Sequence, residues 1–246
     1  DLQYAAATTM EFGYPTSDPA QPDPLQLDSA VKRILESNKR IIVAGGGVIA
    51  AEASAALQQL ARQLDCPVLT TVDGRGVIAG DDPLCIGNYY NSAGIYNAIQ
   101  SADLTIAIGT RFAVGVDGQF QEQTPPGDLI QIDIDGTMIG RTHAAKYPVL
   151  ADAGTALTAM NAALAEVTPN DNQFNQSIWE ARDGVRSAMR NRLGADWPQV
   201  MDSIRAKLPT NAVFARDQTI SAYNWGNQQF PIYKPRTSIK PTSGAL

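Results

Sequence analysis

Ile41-Ile42-Val43-Ala44-Gly45-Gly46-Gly47-Val48-Ile49-Ala50 is the stretch on which the fold turns. Its first four residues form a short continuous apolar run, the pattern of a strand covered on both faces. Three glycines interrupt it, and a helix-compatible pattern follows. Strand, glycine turn and helix in that order open a βαβ unit. The run also satisfies G-x-G-x-x-A through Gly45, Gly47 and Ala50. Glycine at these places permits a tight turn and lets a pyrophosphate approach the backbone N–H groups at a helix N-terminus. It equally lets helix and strand pack closely with no ligand at all. In a nicotinamide site an acid about 20 residues on would hold the ribose; Asp73, closing the run Val68-Leu69-Thr70-Thr71-Val72, comes later than that.

Working outward, Leu27, Ala30, Val31, Ile34 and Leu35 fall on one helical face before the turn, and Ala53, Ala56, Leu57, Leu60, Ala61 and Leu64 on another after it. Strands are predicted at Pro67 to Val72, Leu84 to Gly87, Leu104 to Gly109, Leu129 to Ile134 and Pro148 to Leu150, with a short helix around Ile95 to Ile99. A helical stripe through Ala156, Leu157, Met160 and Leu164 closes the unit. Six short apolar runs separated by helices predict an α/β fold: an open, mostly parallel six-stranded Rossmann-like sheet with helices on both faces. Residues 1–24, rich in Pro, Thr and Asp, read as an extended opening segment, and 25–168 as the central domain. Residues 169–210 read as a helical linker, carrying Phe174, Ile178, Ala181, Val185 and Met189 on one helix and a second helix from Trp197 to Leu208. At Ala212-Val213-Phe214-Ala215 a new strand begins, and 211–246 reads as the start of a second α/β unit.

Composition narrows the function classes. With 246 residues the chain holds about 1.6 domains at ~150 residues each. Hydrophobic residues make up 44% and charged residues 18%, enough to fill a core and too apolar for disorder. The net charge is −6, with 19 basic against 25 acidic residues and no basic cluster, which argues against a nucleic-acid partner. No apolar run approaches the ~20 residues of a membrane span, and the N-terminal sequence lacks the pattern of a signal peptide. Cys66 and Cys85 have no CxxC or metal spacing and read as buried reduced thiols, which fits a cytoplasmic protein. His143 is the sole histidine, so a multi-histidine metal site is excluded within the chain, and no GxSxG nucleophile motif occurs. A hydride-transferring dehydrogenase would lack an acid–base pair beyond His143.

Two further segments stand where open α/β sheets bind ligands, at the C-terminal ends of strands. Ala107-Ile108-Gly109-Thr110-Arg111-Phe112 puts Arg111 just past one strand, and Ile132-Asp133-Ile134-Asp135 puts two carboxylates at the next. Asp133 and Asp135 would share one side by strand alternation, to bind a ribose or to cap the following turn.

These segments together resemble the central domain of thiamine-diphosphate enzymes, closest in look to acetolactate synthase and its relatives among 2-oxoacid decarboxylases and carboligases. The resemblance is carried by Gly45-Gly46-Gly47, Pro67-Val68-Leu69-Thr70-Thr71, Asp103 to Phe112 with Gly109-Thr110-Arg111-Phe112, and Ile132-Asp133-Ile134-Asp135 followed by Ile139-Gly140. It implies Gly45, Gly46, Gly47, Arg111, Asp133 and Asp135 as the edge of a nucleotide or FAD site. Flavin-binding members show a Met-His-Gly stretch, where this chain has Gly87-Asn88-Tyr89-Tyr90-Asn91-Ser92-Ala93-Gly94. Asn211 to Thr219, Trp225, Pro235-Arg236 and Thr242-Ser243-Gly244-Ala245-Leu246 resemble the start of the diphosphate-binding domain, which implies Asp217, Gln218 and Thr219 as its diphosphate loop. The common Gly-Gln-His version of that loop is absent, as is the Gly-Asp-Gly motif by which the family holds Mg²⁺. The resemblance therefore implies a parent homodimer or homotetramer acting on a small 2-oxoacid with thiamine diphosphate and Mg²⁺, FAD or ADP being candidates for the central domain. This chain by itself is expected to be catalytically silent. The competing expectation is a stand-alone nucleotide-binding module that takes NAD or ADP at Gly45 to Ala50.

Overall fold

The computed structural model describes residues 18–112, 124–217 and 225–240. Gln218, Thr219 and the run from Thr242 to Leu246 lie outside them, as do residues 1–17. The six apolar runs all form strands: β1 (Arg40–Ala44), β2 (Val68–Thr70), β3 (Cys85–Gly87), β4 (Leu104–Ile108), β5 (Asp128–Asp133) and β6 (Tyr147–Leu150). They assemble in the order β3-β2-β1-β4-β5-β6, every neighbouring pair parallel. The chain starts in the middle and winds outward both ways, so the order reverses between β2–β1 and β4. In such sheets this switch point is where ligands are held.

Side-chain alternation assigns the two faces. Ile42, Ala44, Val68, Leu104, Ile106, Ile108, Ile130 and Ile132 point to one core, closed by the helices α1 (Pro24–Leu35), α3 (Ser54–Leu64) and α5 (Ala153–Ala163). Ile41, Leu69 and Ile86 point to the other, closed by α4 (Ala93–Ile99) and α6 (Asn172–Arg192). The latter helix is thus a covering layer of the sheet, through Phe174 and Ile178, as well as a connector. Helix starts follow the capping rules: Asp23, Asp152 and Asp171 accept backbone N–H bonds ahead of α1, α5 and α6, with Pro24 opening α1. The helix α2 (Gly46–Ala50) is only one turn long; the chain breaks at Glu52, held at φ 54, before α3.

Arg40 anchors the foot of β1. It is fully buried, and its guanidinium donates to Ile34 O at 3.1 Å, Ser37 Oγ at 3.0 Å, Ser37 O, Thr168 O at 2.9 Å and Asn170 Oδ1 at 3.3 Å. A charge can be buried only when its donors are satisfied in this way. The same contacts tie the segment before α6 to the sheet. Both cysteines are free and buried, and burial pushes the thiol of Cys66 far up and that of Cys85 to about 11, so both are neutral and inert at neutral pH.

After α7 (Asp196–Lys207), β7 (Phe214–Ala215) and β8 (Ser238–Ile239) form a separate two-stranded parallel sheet. Under it, Met201, Trp225, Phe230 and Ile232 make a small third core, with Phe214 stacked on Phe230 at 4.1 Å between centroids. Parallel pairing across two adjacent strands requires a crossover, so β7–β8 is a nucleus of α/β type.

Candidate site at the C-terminal edges of the two sheets

The glycine turn is shaped first by the neighbouring strand. Gly45 N–H donates to Ile108 O at 2.9 Å and Gly47 N–H to Gly109 O at 3.0 Å. A Cβ on Gly45 would lie 2.7 Å from Thr110 Cβ and closer still to Gly109 O; one on Gly47 would lie 2.6 Å from Gly109 Cα. Gly109 itself sits at φ +57. Glycines are therefore required on both chains so that two backbones can touch at the switch point. Gly46 alone of the three has its N–H outside these bonds, and its Cα faces Asp73, whose Cβ a side chain there would approach to 3.1 Å.

On the next two strands the predicted residues come to the same edge in different states. Arg111 is exposed, past the end of β4, and its carbonyl accepts from Thr142 Oγ1 at 3.1 Å. The strand β5 ends at Asp133, so Asp135 belongs to the turn and not to the strand alternation. Asp133 Oδ1 accepts from Asp135 N at 3.0 Å; Asp135 Oδ1 accepts from Thr137 N at 2.9 Å and Thr137 Oγ1 at 2.7 Å. The Thr137 hydroxyl and N–H hold the Asp135 carboxyl below the usual carboxylate range. Both carboxylates thus cap a turn. Gln131, buried in β5, ties the loops together: its Nε2 donates to Thr110 O and Met138 O at 3.2 Å, and its Oε1 accepts from Gly140 N at 2.9 Å. His143 is half-buried and meets Phe112 edge-on at 5.1 Å between centroids.

The other half of the edge is occupied by the chain's own later segment. Arg75, in Gly74-Arg75-Gly76 after β2, is buried and donates to Gly226 O at 2.6 Å and to Phe230 O. Burial, aided by repulsion from Arg216, lowers its pKa to about 10, still charged at neutral pH. Tyr89 OH donates to Gln228 O at 3.1 Å, Gln228 Nε2 donates to Asn88 O at 3.1 Å, and Gly80 N–H donates to Ile232 O at 2.8 Å. The sequence signal for this clamp was a basic residue between two glycines just past a strand; its partners lie some 150 residues away and carry no such signal.

The C-terminal edge of β7–β8 faces the same region. Arg216 follows β7, with its N–H donating to Ile239 O at 3.1 Å, and Lys240 follows β8 and bridges Asp73 at 2.9 Å. Asp73 thereby stands between the glycine turn and the second sheet. The Nε and Nη2 atoms of Arg216 are buried and have no hydrogen-bond partner among the described residues. Asp217, next in the chain, is exposed.

The sequence from α1 through the sixth strand into α5 decides the family. Residues 27–160 match the thiamine pyrophosphate enzyme central domain. The chain belongs to that family. It is 38% identical over 162 residues, 65% of its length, to a Methanocaldococcus jannaschii protein described as an acetolactate synthase large subunit, of which it covers 27%. It is 31% identical over 218 residues, 88% of its length, to a Pseudomonas aeruginosa protein described as a 2-ketoarginine decarboxylase, of which it covers 38%. The chain thus spans a minor part of the length of these relatives. A solved structure from Mycobacterium smegmatis, described as a thiamin diphosphate-dependent enzyme, superposes with a TM-score of 0.68 at 20% identity, covering 95% of this chain and 44% of that one. That likeness concerns the fold. Within the thiamine pyrophosphate enzymes the chain thus resembles the acetolactate-synthase-like members, and its sheet is the fold of their central domain.

Proposed function

We propose that this chain is the central domain and the opening of the cofactor domain of an acetolactate-synthase-like enzyme that decarboxylates or ligates small 2-oxoacids with thiamine diphosphate and Mg²⁺. The observation that carries the reading is that the buried Nε and Nη2 of Arg216, at the C-terminal end of β7 beside Asp217, have no hydrogen-bond partner among the described residues. A half-buried guanidinium with two N–H groups left without acceptors fits an anionic group such as a diphosphate. When bound, thiamine diphosphate supplies the electron sink for loss of CO₂ from a 2-oxoacid. The chain's own part is to hold and orient it: Asp217, Gln218 and Thr219 would form the diphosphate loop and Arg216 would add charge behind it. Arg75 and the Asp73–Lys240 pair would fix the second sheet against the first. The central domain serves chiefly as the rigid block for that arrangement. The whole protein would act as a homodimer or homotetramer.

The test is made on the full-length protein with thiamine diphosphate, Mg²⁺ and a panel of 2-oxoacids, following CO₂ release and, separately, cofactor binding by fluorescence. Turnover of at least one 2-oxoacid is expected, with cofactor affinity weakened about tenfold by Arg216→Met. No turnover and no cofactor binding would end the reading.

A second role for the central domain is binding FAD or ADP at its open edge. It is favoured by the placement of Gly46, Arg111 and Asp133 at the ends of the adjacent strands β1, β4 and β5. Titration with FAD, ADP and NAD separates the readings: FAD or ADP should bind and lose about tenfold in Arg111→Ala. Tight NAD binding without a flavin preference would instead favour a stand-alone nucleotide-binding module, and no binding would leave the domain a purely structural block.

A further inference from the structure

A cavity of about 210 Å³ lies between the ends of β2 and β3, the helix α6 and residues 228–232. Its charged lining residues are Arg75, Arg186 and Arg190, with no Asp or Glu among the described lining residues. Arg190 is compensated by Asp202, at 2.6 Å. The other two form no ion pair among the described residues. Arg75 donates to two backbone carbonyls. Arg186 reaches Cys85 O and Ile86 O at 3.3 and 3.4 Å, the long end of hydrogen bonding, lies over the Tyr89 ring at 5.8 Å and interacts with the Tyr89 hydroxyl. The nearest acid on its own helix, Asp183, is held by Arg182 at 2.8 Å.

Neutral acceptors satisfy these two guanidiniums, no carboxylate among the described residues pairs with either, and Asp183 acts on Arg186 only through space. A cleft lined by one sign of charge focuses its field and concentrates counter-ions. The planar fork of an arginine suits the oxygens of a carboxylate or phosphate. The cavity is below the roughly 300–1,000 Å³ of sites for drug-sized ligands, so a dinucleotide does not fit and a small metabolite does. We infer that this cavity is a binding site for a small oxyanion, carboxylate or phosphate, held by Arg186 with Arg75 and Arg190 behind it. Its walls come from the central sheet, α6 and the segment that follows the diphosphate loop, so the ligand would join all three. The cavity shares no lining residue with Gly45 to Gly47, Arg111, Asp133, Asp135 or Asp217.

The test is calorimetric titration of the chain with sodium phosphate and with sodium succinate, against sodium chloride at matched ionic strength. At least one of the two oxyanions should bind with a millimolar or tighter Kd. Arg186→Met, which keeps the stem and removes the charge, should weaken it tenfold or more; Arg62→Met, in a surface pair with Asp82, should not. Should Arg186→Met fail to fold by circular dichroism, phenylglyoxal labelling of the unmutated protein decides. The bound oxyanion should slow modification of Arg186 relative to Arg62, read by mass spectrometry. No binding beyond chloride, unchanged affinity in a folded Arg186→Met, or equal labelling with and without oxyanion would overturn the site.

Discussion

On the β3–β2 side of the sheet the C-terminal edge is covered by residues 225–237, whose carbonyls meet Arg75, Tyr89 and the backbone of Gly80. On the β4–β5 side the same edge presents Arg111, Ile134 and Asp135 exposed. Both halves obey the rule that parallel sheets offer polar groups at their strand ends. One half uses them to grip the protein's own later chain; the other leaves Arg111 exposed while its carboxylates hold turns. Position at a sheet edge therefore did not by itself distinguish a ligand group from a structural one. What distinguished them was the partner already engaged.

Substitutions can break the comparison at its seam first. Gly45→Ala puts a methyl group into the backbone of Gly109 and Thr110, where both sides are rigid, and should cost about 3 kcal/mol in chemical denaturation. A loss below about 1 kcal/mol would mean that the two strand ends separate easily. On the covered half, Arg75→Met leaves two buried carbonyls without a donor, at about 2 kcal/mol. It should also release residues 225–237, seen as faster hydrogen exchange there while β1 and β4 stay protected. On the open half, Arg111→Ala should change stability by less than about 0.5 kcal/mol. A cost like that of Arg75 would erase the contrast between the halves.

The smallest effect lies at the opposite edge. Asp128 receives hydrogen bonds from Lys146 at 2.9 Å and from Arg33 at 2.7 Å, which hold its carboxyl below the usual range. A lowered folded-state pKa contributes stability that is present above the unfolded value of about 3.9 and is lost as pH falls through the folded one. Between pH 5 and pH 3, Asp128→Asn should therefore show a shallower fall in Tm than the unmutated protein. Identical slopes would show that the pair adds nothing to acid stability.

Much of this was legible in the residues. Apolar runs such as Ile41 to Ala44 and Leu104 to Ile108 are buried throughout, so continuous hydrophobicity marked the central strands, while β6 at the sheet edge buries only Val149. Asp23, Asp152 and Asp171 marked helix starts because capping is local chemistry. Less legible was the meaning of Gly45 and Gly47: a pyrophosphate and a second backbone both demand the absence of a side chain, and only the position of Gly109 says which atom comes close. Asp133 and Asp135 looked like a same-side pair until the strand ended at the first of them. Arg75, Gln131 and Arg186 were missed because their partners are carbonyls, which every residue carries and no sequence pattern distinguishes.

The sequence by itself determined the six strands of the central sheet and most of their helices, the parallel arrangement and the family, because periodicity, caps and motif order are properties of neighbouring residues. The tertiary structure decided which strand lies beside which, that residues 225–237 fold back over half of the edge, and that Arg186 lines a cavity with no ion pair among the described residues. Those outcomes depend on groups brought together across about 100 to 150 residues of chain. Their energies come from burial and desolvation, which exist only once the chain has closed on itself.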